Sequence, residues 1–420
     1  MASTPSIDDL ADQISASTKI ISNFLKSNNL PQLSFDKNAP LEFPHAPEDI
    51  LAARRNLREA TKTLYDLATG PSEHLRWLAC HYHDMNSLRW IYHFKIAEAV
   101  PLDHEVSFAE VAAKAKVDEV QCRRIMRHAM TNNIFYEPKP GFVTHTAESS
   151  LLVRSPSLAA WVGYTCEDTF PASAKMVEAT EKWGAGEEKN QTGWNLAFNT
   201  DLPQFEYFEH HKDRMERFAK TMEEMTSTEG YSTKHLASGF DWAKAQGTVV
   251  DVGGSLGHAS IAIAEKAPGL KFIVQDLPNV IARGESALPS NMKDRISFMA
   301  HDFFTPQPVQ AEFYLLRFIL HDYPDKHSVK IVQNLVSAMK KGTRIIVMDG
   351  VMPPPNTIPK SEERLTRIMD LEMMTTFNSR EREVEDWAAI FAKADPRLKL
   401  RNTIRPPGSI NSVMEVVFEE

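Results

Sequence analysis

The chain has 420 residues, of which 42% are hydrophobic, 9% aromatic and 25% charged, an ordinary globular balance that is too long for one compact core and suits two domains. Lysine and arginine number 47 against 56 acidic residues, and the formal charge of −9 argues against a partner made of nucleic-acid phosphates. Cys80, Cys122 and Cys166 show no CxxC spacing, which excludes a disulfide framework or a zinc site and points to a reducing compartment.

The opening MASTPSIDDLADQ has no basic flank ahead of an apolar run, and no stretch approaches the roughly 20 apolar residues of a membrane span. A cytoplasmic protein with no membrane partner is expected. Residues 7–30 carry Leu10, Ile14, Ile20, Ile21 and Leu25 at helical spacing and end at Asn28, Asn29 and Pro31, which predicts one amphipathic helix. The proline-spotted residues 30–47 read as a connector or an arm over a neighbour. Residues 48–100 return to a helical period.

Residues 107–146 are more specific. Ser107 and Glu110 have capping-box spacing ahead of the helix FAEVAAKAK, and a turn at Val117-Asp118 leads to a second helix, EVQCRRIMRHAMTN. A hairpin FYEPKPGFVTH turns at Pro140-Gly141, which completes a winged-helix order. A DNA-binding reading would place Arg123, Arg124 and Arg127 in a groove. The alternative has this module pack on a partner or cover a pocket, with the arginines solvated or ion-paired; the net charge and the downstream motifs favour it. After residue 247, strand-like TVVDV, KFIVQD, EFYLL and RIIVMDG alternate with helical SIAIAEKA, KHSVKIVQNLVSAM and EVEDWAAIFAKA, and the chain ends in SVMEVVFE. That alternation predicts an α/β domain with a parallel sheet and a ligand beyond the carboxyl ends of its strands.

The first of these strands runs into DVGGSLG, with Asp251, Gly253, Gly254 and Gly257. A glycine loop lets backbone approach a ligand closely and open the next helix. Ser255 stands where GxGxxG has its second glycine, which disfavours a dinucleotide. Asp251 would repel a pyrophosphate but suits a cation. Asp276 closes the next strand where an acid accepts from a ribose diol, although it could merely cap a turn before Leu277-Pro278. A positively charged adenosine without phosphates satisfies both acids, and S-adenosylmethionine has that description.

DVGGSLG, QDLPNVI, HDFF and LLRFILHDYPD, in this order, resemble the motifs of plant- and fungal-type small-molecule O-methyltransferases, the caffeic-acid and sterigmatocystin-pathway class, with a fungal flavour. HAMTNNIFYEPKPGFVTHTAES and AFNTDLPQFEYFEHHKDRMERFAKTM extend the resemblance over most of the chain from about residue 65. The resemblance implies an α-helical, winged-helix-like dimerisation domain over residues 1–175 and a Rossmann-like, S-adenosyl-L-methionine-binding methyltransferase domain over residues 176–420. It also implies a homodimer formed through the first domain, and no metal. By position, Gly253 and Asp276 would hold the methionine tail and the ribose, with Gly254, Gly257 and Leu277 beside them. Asp302 would accept from the adenine amino group and Phe303 would pack on its face. Arg317 stands where the family usually has a lysine, and Ser255 replaces a common third glycine.

His321-Asp322 follows the strand EFYLLRFIL and falls in the expected crevice. An acceptor hydroxyl is a poor nucleophile while protonated, with a phenol pKa of about 10, and a histidine can take its proton. The resemblance supplies Asp349 and Glu381 as acids to orient that histidine; aspartate at 349 replaces a more usual glutamate and has a shorter reach. Alone, His321 would read as a structural residue beside a helix capped by Asp325, but its place after the cofactor motifs makes it the expected base. Met369, Met373, Met374, Phe377 and Asn378 lie where the family lines its acceptor pocket, and equally read as plain core. His145 in the wing faces the pocket or the dimer partner, or is structural. Trp161, Trp183 and Trp194 form no evident cage. The expected activity is O-methylation of a phenolic or enolic hydroxyl on a polyketide or related aromatic in fungal secondary metabolism. The main rival is a fungal protein of this fold that catalyses a pericyclic or dehydrative step with the cofactor bound but not consumed; there the histidine would be replaced by a basic residue. A third reading, a DNA-binding regulator with S-adenosylmethionine as ligand, is disfavoured by the acidic balance.

Overall fold

The computed structural model describes residues 5–419, which divide into two compact units. The first comprises the chain up to Phe170 together with Asp213–Met222 and Pro359–Glu362. Its opening helix, Ile7–Ser27, starts on a capping box between Ser6 and Asp9 and buries Leu10, Ile21 and Leu25. It stops short of the predicted residue 30 because Asn28 caps it and Asn29 turns left-handed (φ 52°). The continuous helical period of residues 48–100 is in fact several helices. Glu48–Cys80 kinks at Gly70 (φ 72°, ψ 162°) before Pro71, Tyr82–His93 follows, and Lys95 (φ 52°) separates it from Ile96–Ala99. The arm at residues 30–47 lies on its own chain: Asp36 bridges to Thr146, and Ala147 N donates to Phe35 O at 3.1 Å.

The winged module has the predicted order. Strand β1 (Val106–Ser107) leads into helix Phe108–Ala115, capped by the Ser107–Glu110 box, and Asp118 caps helix Glu119–Met130. Strands β2 (Tyr136–Lys139) and β3 (Phe142–Thr144) form the wing, turning at Gly141 (φ 86°), in the antiparallel order β1-β3-β2. Ile91, Phe108, Val111, Cys122, Met126, Phe135 and Val143 fill its core. Of the three arginines, Arg127 makes two 2.8 Å bonds to Glu137 and Arg123 pairs with Glu119, so acids of the same module hold both. Arg124 is exposed.

The second unit is built on a seven-stranded sheet ordered β6-β5-β4-β7-β8-β10-β9. Strands β4 (Gly247–Val252), β5 (Leu270–Asp276), β6 (Ile296–Ala300), β7 (Phe313–Arg317) and β8 (Arg344–Asp349) are parallel. Strand β10 (Ser412–Phe418) runs antiparallel between β8 and β9 (Leu398–Ile404). The central strands read as continuous apolar runs because both faces are covered. Val250, Tyr314, Leu316, Ile345 and Val347 pack toward Trp387 and Phe391, while Val249, Phe272, Leu315, Ile346 and Met348 pack toward Leu236 and Trp242. Since β5 and β7 flank β4 on opposite sides, the strand order reverses at β4, and in open sheets of this kind the ligand sits beyond the carboxyl ends of the strands at that point. Among the described residues no helix is long and apolar enough to cross a membrane.

Candidate active site

Every candidate site residue except His145 belongs to the second unit. Past β4 the loop turns at Gly253 (φ 71°) and Gly257 (φ 78°), conformations that a side chain disfavours. A Cβ on Gly253 would stand 2.5 Å from Ile319 Cδ1 and 3.6 Å from Phe303 Cε1, and one on Gly254 would stand 2.6 Å from Asp251 Cγ. Gly253 N and Gly254 N both donate to Gln275 O, at 2.8 and 3.0 Å. Ser255 adopts a left-handed conformation (φ 51°), and its N–H donates to Asp276 Oδ2 at 2.9 Å while Leu277 N donates to Oδ1 at 2.7 Å. The departure from a third glycine therefore leaves the loop intact and ties it to Asp276. Burial pushes the Asp276 carboxyl up, and those two amides oppose the shift. Asp251 is buried, accepts from Ser260 Oγ at 2.6 Å, and is pushed up to about 6 by burial.

Asp302 is exposed and accepts from Phe304 N at 2.9 Å; Phe303 packs on Phe304 and Tyr323. The glycine cradle, with no room for Cβ atoms, and the acids at the ends of β4 and β5 fit an unphosphorylated, cationic nucleoside. Arg317 turns toward the protein: its Nη2 donates to Tyr231 O at 2.7 Å and its guanidinium lies over Phe318, 4.4 Å from the ring centroid. Asp251 and Asp349 attract it from either side.

Beyond β7, Phe318 (φ 55°) bends the chain into the turn Leu320–Asp322. His321 Nδ1 meets Glu381 Oε1 at 3.1 Å, and Nε2 lies 3.5 Å from Asp322 Oδ1, outside the usual N–H···O range. The surrounding backbone is held from one short segment. Ser379 Oγ donates to His321 O (2.5 Å) and Tyr323 O (2.7 Å). The fully buried Arg382 donates to Leu320 O (2.8 Å), Tyr323 O (2.7 Å) and Asp325 Oδ1 (3.0 Å). Asp325 thus binds arginines, and the helix Asp325–Val336 has no side-chain cap. Asp349 is completely buried, and neither of its oxygens has a hydrogen-bond partner among the described residues, so of the two acids expected to orient the imidazole only Glu381 bonds to it. Burial lowers the His321 pKa, but Asp322, Asp349 and Glu381 outweigh it and raise the group to about 10. Burial likewise pushes Asp322 to about 6 and Asp349 to about 7.

The proposed acceptor-side residues are only partly gathered. On helix Lys360–Phe377, Met369, Met373 and Phe377 recur every four residues on one face, and Phe377 stacks on Phe205 at 5.3 Å. Met374 is exposed off that face, and Asn378 donates to Gly186 O (2.7 Å) and Glu188 O (3.1 Å). His145 belongs to the first unit. It is buried there with its ring nitrogens 2.9 Å from Ser149 Oγ and 3.1 Å from Val100 O, in a structural setting. Ser379, Arg382 and Tyr231 were not singled out by sequence. The only available signal is adjacency to Glu381 for Ser379 and Arg382, and a place in the segment before β4 for Tyr231. Among the described residues no group of three His, Cys, Asp or Glu side chains could hold a metal ion.

The O-methyltransferase domain family matches residues 183–395 and the O-methyltransferase dimerisation domain matches residues 77–155. The O-methyltransferase VdtC of Byssochlamys spectabilis is 43% identical over 98% of this chain and 98% of its own length. Among solved structures, OxaC superposes with a TM-score of 0.76 at 21% identity, covering 98% of this chain and 99% of that one. A chain described as a pericyclic reaction enzyme superposes with a TM-score of 0.69 at 23% identity, covering 97% of this chain and 100% of that one.

Proposed function

The chain belongs to the O-methyltransferase family, as an S-adenosylmethionine-dependent enzyme of fungal secondary metabolism, and from that premise we propose that His321 is the general base for a phenolic or enolic hydroxyl on a polyketide-type or related aromatic acceptor. When bound, S-adenosylmethionine supplies an electrophilic methyl group carried on a sulfonium. Gly253, Gly254 and Gly257 would cradle it, Asp276 with Leu277 beside it would take the ribose, and Asp302 and Phe303 the adenine. Asp251 and Arg317 support that end of the crevice from within.

The observation that carries the reading is the 3.1 Å contact between His321 Nδ1 and Glu381 Oε1 at the carboxyl edge of the parallel strands. In the neutral imidazole, donation from Nδ1–H to Glu381 leaves the Nε2 lone pair as the proton acceptor. The acceptor hydroxyl gives its proton to Nε2, and Asp322 and Asp349 stabilise the resulting imidazolium through space. General-base help of this kind contributes about 10² to 10⁴ in rate. The face of Met369, Met373 and Phe377 suits a flat apolar acceptor. Residues 1–175 would form the homodimer, and residues 176–420 would carry the chemistry.

The test is incubation of enzyme with cofactor labelled in its methyl group and a panel of phenolic and enolic polyketides. Label entering product, and lost in His321→Ala, supports the reading. Rearranged but unlabelled product with cofactor unconsumed would overturn it in favour of a pericyclic or dehydrative activity.

A further inference from the structure

We propose that Gly350 is a positioning residue for this reaction: its missing side chain leaves the space that the Glu381 carboxylate occupies while it holds His321. The inference rests on the reading of His321 as base. Gly350 directly follows β8, and a Cβ built on it would overlap Glu381 Oε2 and stand 3.0 Å from Cδ. Its φ is not in the positive range, so nothing in the local conformation calls for glycine; the neighbouring carboxylate does.

Neither backbone can retreat from such a clash. Gly350 O accepts from Trp387 Nε1 at 3.1 Å, Val351 forms a parallel bridge with Arg382, and Met352 N donates to Arg382 O at 2.8 Å. On the other side Glu381 N donates to Asp370 Oδ1 at 2.8 Å. What remains movable is the far end of the glutamate. Its Oε2 is buried with no hydrogen-bond partner among the described residues, so the bond from His321 Nδ1 to Oε1 is what keeps the carboxylate in place. A methyl group at 350 would therefore be absorbed by swinging the carboxylate away. His321 would lose the acceptor that orients its ring, with little disturbance to the fold.

The experiment compares Gly350→Ala, Glu381→Asp and the double variant, with His321→Ala as reference. Gly350→Ala is expected to lower kcat about 10²-fold, the scale of an ångström-sized misplacement of a catalytic group. Its Tm and its affinity for S-adenosylhomocysteine should stay near the parent's. Because an acid is withdrawn from the imidazole, the ascending limb of kcat/KM against pH should move to lower pH. The shorter side chain of Glu381→Asp vacates the contested space, so adding Gly350→Ala to it should cause no further loss, a strongly non-additive cycle. A Gly350→Ala enzyme with parental kcat and pH limb, a fully additive double variant, or a loss of kcat accompanied by a clear fall in Tm would each overturn the inference. If His321→Ala itself retains kcat, the reading of the base fails; if His321→Ala is inactive and Gly350→Ala is not, only the role of Gly350 falls.

Discussion

Arg382→Met removes a buried cation from beneath the turn that carries His321, and its cost can be worked from the contacts. Ser328 Oγ also reaches Leu320 O at 3.0 Å and Ser379 Oγ reaches Tyr323 O at 2.7 Å, so those carbonyls are not stranded. Asp325 keeps Arg380 Nη2 at 2.7 Å. The loss is therefore no more than the about 3–5 kcal/mol of a buried ion pair stripped of one partner. It consists mainly of one charge-assisted hydrogen bond, about 1.5–3 kcal/mol, and the desolvated guanidinium over Trp387, about 2 kcal/mol. In a unit of this size each kcal/mol moves Tm by about 2–4 °C, so calorimetry should show a fall of about 7–20 °C. Methyl transfer assayed well below that Tm should fall about 10²-fold, because the turn no longer fixes the imidazole. A variant with parental Tm and parental kcat would refute the role given to this arginine.

Three further outcomes are expected. His321 acts only as the neutral imidazole and its pKa is raised to about 10, so kcat/KM should climb with pH through the neutral range as one proton is lost; a profile already flat at neutral pH contradicts this. Gly253→Ala puts a side chain at φ 71° and 2.5 Å from Ile319, and should weaken S-adenosylhomocysteine binding about tenfold, read by isothermal titration calorimetry; parental affinity would show that the loop does not approach the cofactor. In the single chain the helix Glu48–Cys80 buries nothing after Ala60 and exposes Tyr65, Leu75 and Trp77, so Trp77→Glu should shift sedimentation from dimer toward monomer, whereas a monomeric parent would exclude the homodimer.

What was legible in the sequence was local or fixed by spacing. The Ser107–Glu110 capping box and the Pro140-Gly141 turn announce the winged module because each acts within four residues. Strands β4, β5, β7 and β8 announce themselves as apolar runs because both faces are buried. The edge strands β6 and β9 escaped notice, since most of their side chains are partly or fully exposed and carry no such pattern. The break at Gly70-Pro71 was written in the residues but masked by a helical period that continues across it. Arg382 and Gly350 were illegible for a different reason. The charge of one and the absent side chain of the other acquire meaning only when residues some 30 to 60 positions apart meet around His321.

The most direct test of the central claim is chemical rescue of His321→Ala by small amines of graded pKa, followed by transfer of labelled methyl to product. If Nε2 of His321 takes the hydroxyl proton, imidazole should restore a substantial part of the lost rate, with an efficiency that follows amine basicity and size and no effect on the parent enzyme. An inactive variant that no amine rescues, or one that transfers methyl at the parental rate without any amine, would contradict the assignment of His321 as the base.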